Sequence, residues 1–220
     1  MANKKYIEKY IFLGDCNSIN IEIIYKAFFT LKKNIKYIII GNIEDIKRYS
    51  KKINSKIDIK EILDPYDFNQ YNYDKLNVFN VVNSSSLKYK NLLNQLKIAN
   101  SICNKSKRDL ITMPINKSVF KKKINFTGIT EYLAKLNKCK TYMLMLGEKF
   151  SVVPLTTHIK PKFIHKSIKH IYLNNFIKQL LKLVNQKKYG LKFKSIIFLC
   201  YNPHCGENET IGLEDKTIKD

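Results

Sequence analysis

Short runs rich in Ile, Val, Phe and Tyr alternate along this 220-residue chain with longer stretches whose apolar residues return every three to four positions. That alternation constrains the fold more than any other feature. A run of four to six β-branched or aromatic residues suits a strand buried on both faces, whereas a 3.6-residue period suits a helix lying over it. The runs predict strands at Tyr10–Leu13, Tyr37–Ile40, Asn77–Val82, Leu110–Thr112, Thr141–Leu146, Phe150–Leu155 and Ser195–Cys200. The periodic stretches predict helices over Ile21–Lys32, Glu44–Lys52, Ser86–Lys105, a short piece from Lys117, Thr130–Leu136 and Ile171–Gln186. Strand and helix in turn imply an α/β fold with a mostly parallel sheet and helices on its faces. In the last helix Leu173, Phe176, Ile177, Leu180, Leu181 and Val184 form one apolar stripe, read as packing on a sheet rather than as a partner-binding face. A break after three successive lysines, around Lys121–Phe126, sets the expected domains at 1–125 and 126–220.

The charge balance suggests a different function and then withdraws it. There are 40 Lys+Arg against 18 Asp+Glu, a net charge of +22, which points first to nucleic acid or another anionic surface. Yet Arg48 and Arg108 are the only arginines, and a phosphate-gripping domain ordinarily uses the bidentate guanidinium fork. Lys, Asn and Ile are abundant together, as A/T-rich codons would make them, so the excess reads as solvated lysine faces. Nucleic acid is therefore disfavoured as a partner. Neither an apolar leader nor a run of about 18 apolar residues is present, so a membrane partner is not expected. Cys16, Cys103, Cys139, Cys200 and Cys205 are odd in number and form no CxxC pair; they read as reduced thiols in a cytoplasmic protein.

Only seven glycines occur, and neither GxGxxG nor GxxxxGK[ST] can be written with them; any nucleotide is held without a Rossmann turn or phosphate loop. Candidate chemistry lies elsewhere. His158 follows a predicted strand in Thr156-Thr157-His158, and His204 follows another in Asn202-Pro203-His204-Cys205-Gly206-Glu207. Two imidazoles at the carboxyl ends of strands suit a shared divalent metal, although each taken alone reads more readily as a loop or core histidine than as a ligand. His165 and His170 lie in a lysine-rich helical stretch and read as surface residues. Thr130, in Phe126-Thr127-Gly128-Ile129-Thr130-Glu131, sits at the start of a helix, where its hydroxyl and free N–H groups suit a phosphate or carboxylate; a helix cap is the competing reading. Lys117 ends Thr112-Met113-Pro114-Ile115-Asn116-Lys117, where a lysine just after a buried strand can meet an anionic substrate.

These four segments, in this order and spacing, with Gly212 and Glu214 following, resemble the 4-hydroxythreonine-4-phosphate dehydrogenase family of pyridoxal phosphate biosynthesis. Gly14-Asp15 with Glu22 looks like that family's first strand-to-helix turn. The resemblance implies a two-lobed α/β/α sandwich like that of isocitrate and isopropylmalate dehydrogenases, incomplete at the C-terminus. It implies NAD- or NADP-dependent oxidation of 4-phosphooxy-L-threonine to 2-amino-3-oxo-4-phosphooxybutanoate, followed by decarboxylation. By similarity His158 and His204 match two of three histidines holding a divalent metal (zinc, magnesium or cobalt) at a site shared within a homodimer. Thr130 matches a substrate-binding position for the phosphorylated amino acid.

Two departures stand out. The family has His where this chain has Ile129, and another where it has Asn116. The 220 residues also stop soon after Asn202–Glu207, short of the family's third metal histidine, further substrate contacts and much of its cofactor surface. The alternative expectation is accordingly a catalytically inactive remnant, or an N-terminal fragment needing a separate C-terminal chain, that acts at most as a metal-binding or interaction protein.

Overall fold

The computed structural model describes residues 6–31, 35–121, 123–168, 170–184, 193 and 195–219. Its backbone divides into two compact units, Met1–Cys139 and Lys140–Asp220. In the first unit β1 (Ile7–Phe12), β2 (Ile35–Gly41), β3 (Ile59–Glu61), β4 (Leu76–Asn80) and β5 (Asp109–Thr112) form one sheet in the order β3-β4-β2-β1-β5. Every pairing is parallel, with Tyr10 beside Ile38 and Leu110. Helices α1 (Asn20–Thr30), α2 (Ile43–Lys52), α3 (Lys88–Ser106) and α4 (Ile129–Leu136) connect or follow the strands. The predicted α/β class and parallel sheet are what the chain forms. β3 has no counterpart among the predicted runs, because Ile59-Lys60-Glu61 carries too little apolar signal; it is an edge strand defined by its ladder to β4.

Alternation along the strands sorts the core into two faces, as the two-residue side-chain period of a strand requires. Tyr10, Phe12, Ile38 and Ile40 point to one face, with Leu92, Leu96, Ala99 and Ile102 of α3. Ile11, Leu13, Tyr37, Ile39, Leu76 and Val78 point to the other, with Ile21, Ile24 and Tyr25 of α1 and Ile43 and Ile46 of α2. The result is an α/β/α layering. Phe126, Ile129, Tyr132 and Leu133 join the α3 side, where the Phe120 and Phe126 rings stack 4.2 Å apart. α4 lies within the first unit, which runs to Cys139.

The second unit contains α5 (Ile164–Ser167), α6 (His170–Val184) and α7 (Lys216–Lys219). Its expected strands do not form as such. Thr141–Leu146 and Phe150–Leu155 are reduced to one antiparallel bridge, Met145 to Val152, with both N···O distances 2.9 Å. Ser195–Cys200 has no ladder partner among the described residues, and Ile197 and Leu199 are 79% and 83% exposed. Apolar runs signal what favours burial, whereas a strand also needs neighbours for its N–H and C=O groups. On α6, Leu173 and Phe176 are buried and Phe176 meets the Tyr142 ring edge-on at 5.2 Å, while Leu181 of the same stripe is exposed. The side chains of His170, Ile171 and Val184, and residues 185–186, lie outside those described. Among the described residues no helix is long and apolar enough to cross a membrane.

Ile40 is fully buried on a central strand, so Ile40→Ala should lower stability by about 2–5 kcal/mol through lost burial and an unfilled cavity, read by urea denaturation. Burial pushes the Cys103 thiol up to about 12, which keeps it protonated near neutrality, where the thiolate is the reactive form. Iodoacetamide labelling followed by peptide mass spectrometry at neutral pH should modify exposed Cys139 and spare Cys103 while the protein is folded.

Candidate active site

In the first unit the chain leaves β1 toward β2 on one side and later returns to place β5 on the other. The crevice at the carboxyl ends of β1 and β5 is thus the topological switch point, where open α/β sheets hold ligands. Gly14, just beyond β1, adopts φ +70°, and a Cβ there would lie 2.6 Å from the Pro114 carbonyl oxygen. Its lack of a side chain allows the two strand exits to meet. Asp15 N–H donates to the Pro114 carbonyl at 3.1 Å. The wholly buried Asn20 donates through Nδ2 to the carbonyls of Leu13, at 2.9 Å, and Pro114, at 2.7 Å. The turn after β1 is therefore stitched to the turn after β5.

Beside this stitch, Lys88 Nζ lies 2.7 Å from Oδ1 of Asp15, whose carboxylate is almost wholly buried. The Asn17 N–H donates to the same oxygen at 2.9 Å. A buried carboxylate needs such a cation and donors to offset its desolvation. Lys88 opens α3, so the pair ties the β1 exit to the head of that helix. Sequence reading passes over Lys88, since one lysine among so many carries no distinguishing signal.

The turn Lys117–Phe120 follows, headed by Asn116, whose Oδ1 accepts from the Ser118 N–H at 2.9 Å. Gly128 heads α4 in an extended conformation, and Thr130 is the second helical residue, exposed and inside the first turn rather than at the cap. A Cβ on Gly128 would sit 2.6 Å from Glu131 Oε2 and 3.9 Å from Lys117 Nζ. Gly128 thus leaves room for a carboxylate and an ammonium group beside the start of α4. Ile129 turns the other way, into the α3-side core with Phe126, Tyr132 and Leu133.

In the second unit His158 is exposed and has φ +56°; it follows irregular backbone rather than a strand end. His204 is also exposed and lies in a tight turn, Pro203–Gly206, that follows Asn202 and whose His204 and Cys205 have left-handed backbone angles. Cys200 and Cys205 are joined by a disulfide that brackets this turn, their Cα atoms 5.1 Å apart. That corrects the reading of all five cysteines as free thiols: the turn folds back and brings the two sulfurs together. Cys16, Cys103 and Cys139 are free. His165 is half-buried in α5, its ring 6.2 Å from Tyr201.

The family model described as pyridoxal phosphate biosynthetic protein PdxA matches residues 32–219. The chain belongs to the PdxA family. It is 31% identical over 219 residues to the 4-hydroxythreonine-4-phosphate dehydrogenase of Sulfurihydrogenibium sp., a match covering 94% of this chain and 67% of that one. With the enzyme of the same name from Aquifex aeolicus it shares 33% identity, over 93% of this chain and 66% of the other. The chain therefore spans about two thirds of the length of these curated relatives. The crystal structure of 4-hydroxythreonine-4-phosphate dehydrogenase from Klebsiella pneumoniae has the same fold, with a TM-score of 0.77 and 20% identity, over 96% of this chain and 68% of that one. The putative enzyme of that name from Salmonella typhimurium also superposes with a TM-score of 0.77, over 97% of this chain and 71% of that one, at 20% identity. The PdxA framework is thus that of an oxidoreductase family, and the two arginines of the chain are paired with carboxylates, Arg48 with Asp45 and Arg108 with Glu8.

Gly14→Ala would place a side chain against the Pro114 carbonyl in a left-handed backbone region. It should cost about 1–3 kcal/mol, measured by thermal or urea unfolding, and more than alanine at a glycine in the extended region.

Proposed function

We propose that this chain serves the NAD- or NADP-dependent oxidation of 4-phosphooxy-L-threonine to 2-amino-3-oxo-4-phosphooxybutanoate, with subsequent decarboxylation, in pyridoxal 5'-phosphate formation. The observation that carries the reading is the PdxA match across residues 32–219. It is supported by the crevice that ends β1 and β5, flanked by Lys88, Lys117 and the first turn of α4. In the oxidation the carbinol C–H leaves as hydride to the nicotinamide and the hydroxyl releases a proton. Carbon dioxide then leaves the resulting β-keto acid. Thr130 is assigned to substrate binding: its exposed hydroxyl and the first-turn N–H groups of α4 suit an anionic oxygen. Lys117 is assigned to the same anion as a point charge.

The divalent metal of this reading would polarise the substrate hydroxyl and stabilise the enolate left by decarboxylation. His158 and His204 are the two imidazoles assigned to it. Catalytic zinc sites typically use three protein ligands, and no group of three His, Cys, Asp or Glu converges among the described residues. The two histidines are an incomplete set, so no step is routed through a metal. A second copy of the chain is the partner this reading assigns, with a cytoplasmic setting.

A second reading, an inactive metal-binding or interaction protein, is favoured by one observation. Ile129 stands where the resemblance places a histidine and is spent on core packing, leaving a side chain that neither donates nor accepts a hydrogen bond.

The test is purified protein with 4-phosphooxy-L-threonine, NAD or NADP, and zinc, magnesium or cobalt in turn. The enzyme reading expects reduced nicotinamide and carbon dioxide in equal amounts, a loss of about 10- to 100-fold in kcat/KM for Thr130→Val, and loss of the signal on chelation. Metal binding with no reduced nicotinamide at any protein concentration, including with the relatives' remaining third supplied as a separate polypeptide, would establish the second reading instead.

A further inference from the structure

We infer that Asp215 is the positioning residue for His204. The inference rests on the assignment of His204 as a site residue in the preceding reading, and it concerns how this chain presents that imidazole.

The backbone around His204 is costly to hold. His204, Cys205, Gly206, Glu207, Asn208 and Glu209 have successive φ values of +50°, +55°, +76°, +45°, +56° and +75°. For L-residues the left-handed region brings Cβ against the carbonyl oxygen and is ordinarily visited by single residues, glycine above all. Five non-glycine residues in one such run persist only where the surroundings over-determine them, and segments of this kind concentrate at functional sites.

Asp215 supplies much of that determination. It is 3% exposed, and its carboxylate accepts two successive backbone N–H groups, Tyr201 to Oδ1 at 2.5 Å and Asn202 to Oδ2 at 2.9 Å. Charge-assisted bonds of this type are stronger than neutral ones, and two from one planar group fix the orientation of both peptides. Those peptides lead directly into Pro203, whose ring restricts φ, and then into His204. The same strand of chain is braced again next door. Asn202 Nδ2 donates to Glu214 Oε2 at 2.9 Å, a bond that holds the Glu214 carboxyl below its usual range. Gly212 leaves the space for it, since a Cβ there would lie 2.8 Å from Asn202 Nδ2. Farther along, the Ile211 N–H donates to the Gly206 carbonyl at 3.1 Å. His204 itself stays exposed. Asp215 thus acts through the backbone of Tyr201 and Asn202, which leads into the residue from which the ring projects.

The experiment compares the full chain with its Asp215→Ala, Asp215→Asn and Asp215→Glu variants by amide hydrogen exchange and by the imidazole NMR signals of His204 and His158. Thermal unfolding of each variant establishes that it folds. The positioning role expects exchange at Tyr201 and Asn202 to rise by about tenfold or more in Asp215→Ala. The His204 ring signal should move or broaden while that of His158 stays in place, and Asp215→Glu should recover part of both effects, Asp215→Asn less. An unmoved His204 signal in a folded Asp215→Ala protein overturns the inference, as does equal movement of His158, which would mark a general loosening. If Asp215→Ala fails to fold, the comparison rests on Asp215→Asn and Asp215→Glu, judged by the same two signals. Titration with cobalt(II) chloride, followed by its visible absorption and by His204→Ala, separately tests the metal assignment. Absence of His204-dependent cobalt binding removes that assignment without touching the exchange and ring-signal result.

Discussion

The pinning of the β1 exit against the β5 exit underlies the rest of the first unit. β1 lies between β2 and β5 in the parallel sheet, and its Tyr10, Ile11 and Phe12 are buried on both faces. Its last turn can reach Pro114 only because Gly14 has no side chain, and Asn20 then closes the gap with two hydrogen bonds to carbonyls. Buried carbonyls left open would each cost about 1–3 kcal/mol, so the amide both satisfies the backbone and sets the shape of the crevice. Asp15 and Lys88 add a charge pair to the same edge and bring the head of α3 to it.

In the second unit, order comes from different sources. Few of its segments pair as strands, and its best-defined local feature is the loop that carries His204, closed by the Cys200–Cys205 bond and by the carboxylate of Asp215. A sheet positions residues through many weak, equivalent bonds; this loop does so through a few strong ones. That makes its geometry sensitive to the loss of any one of them.

The family departure at Ile129 illustrates how a site and a core can exchange a residue. Thr130, one position later on α4, is exposed, but Ile129 packs with Phe126, Tyr132 and Leu133 against the α3-side core. An isoleucine there gains apolar burial of roughly 25 cal/mol per Å² and forfeits a ring that can donate or accept. Gly128, Thr130 and Glu131 keep the polar side of the same turn beside Lys117, so the loss is local rather than a collapse of the edge.

Much of the first unit was legible from the amino-acid sequence alone. The runs at Tyr10–Leu13, Tyr37–Ile40, Asn77–Val82 and Leu110–Thr112, and the periodic stretches between them, determined a parallel α/β layer, because side-chain pattern and local backbone preference agree there. The order of the Pro114–Lys117, Gly128–Glu131, His158 and His204 segments determined the family. What the sequence did not determine was which particular side chains meet once the chain is folded. Lys88 is indistinguishable from its many fellow lysines until folding sets it against Asp15. The runs at Thr141–Leu146 and Ser195–Cys200 read as strands, but among the described residues the first keeps one bridge, Met145 to Val152, and the second no ladder partner. Cys200 and Cys205 read as thiols until the turn between them brings the sulfurs together. Asp215 is an ordinary acidic residue near the end of the sequence until the backbone N–H groups of Tyr201 and Asn202 converge on it. Local propensity is written in neighbouring residues, but hydrogen bonds, ion pairs and disulfides are made by atoms that only the tertiary structure brings within reach.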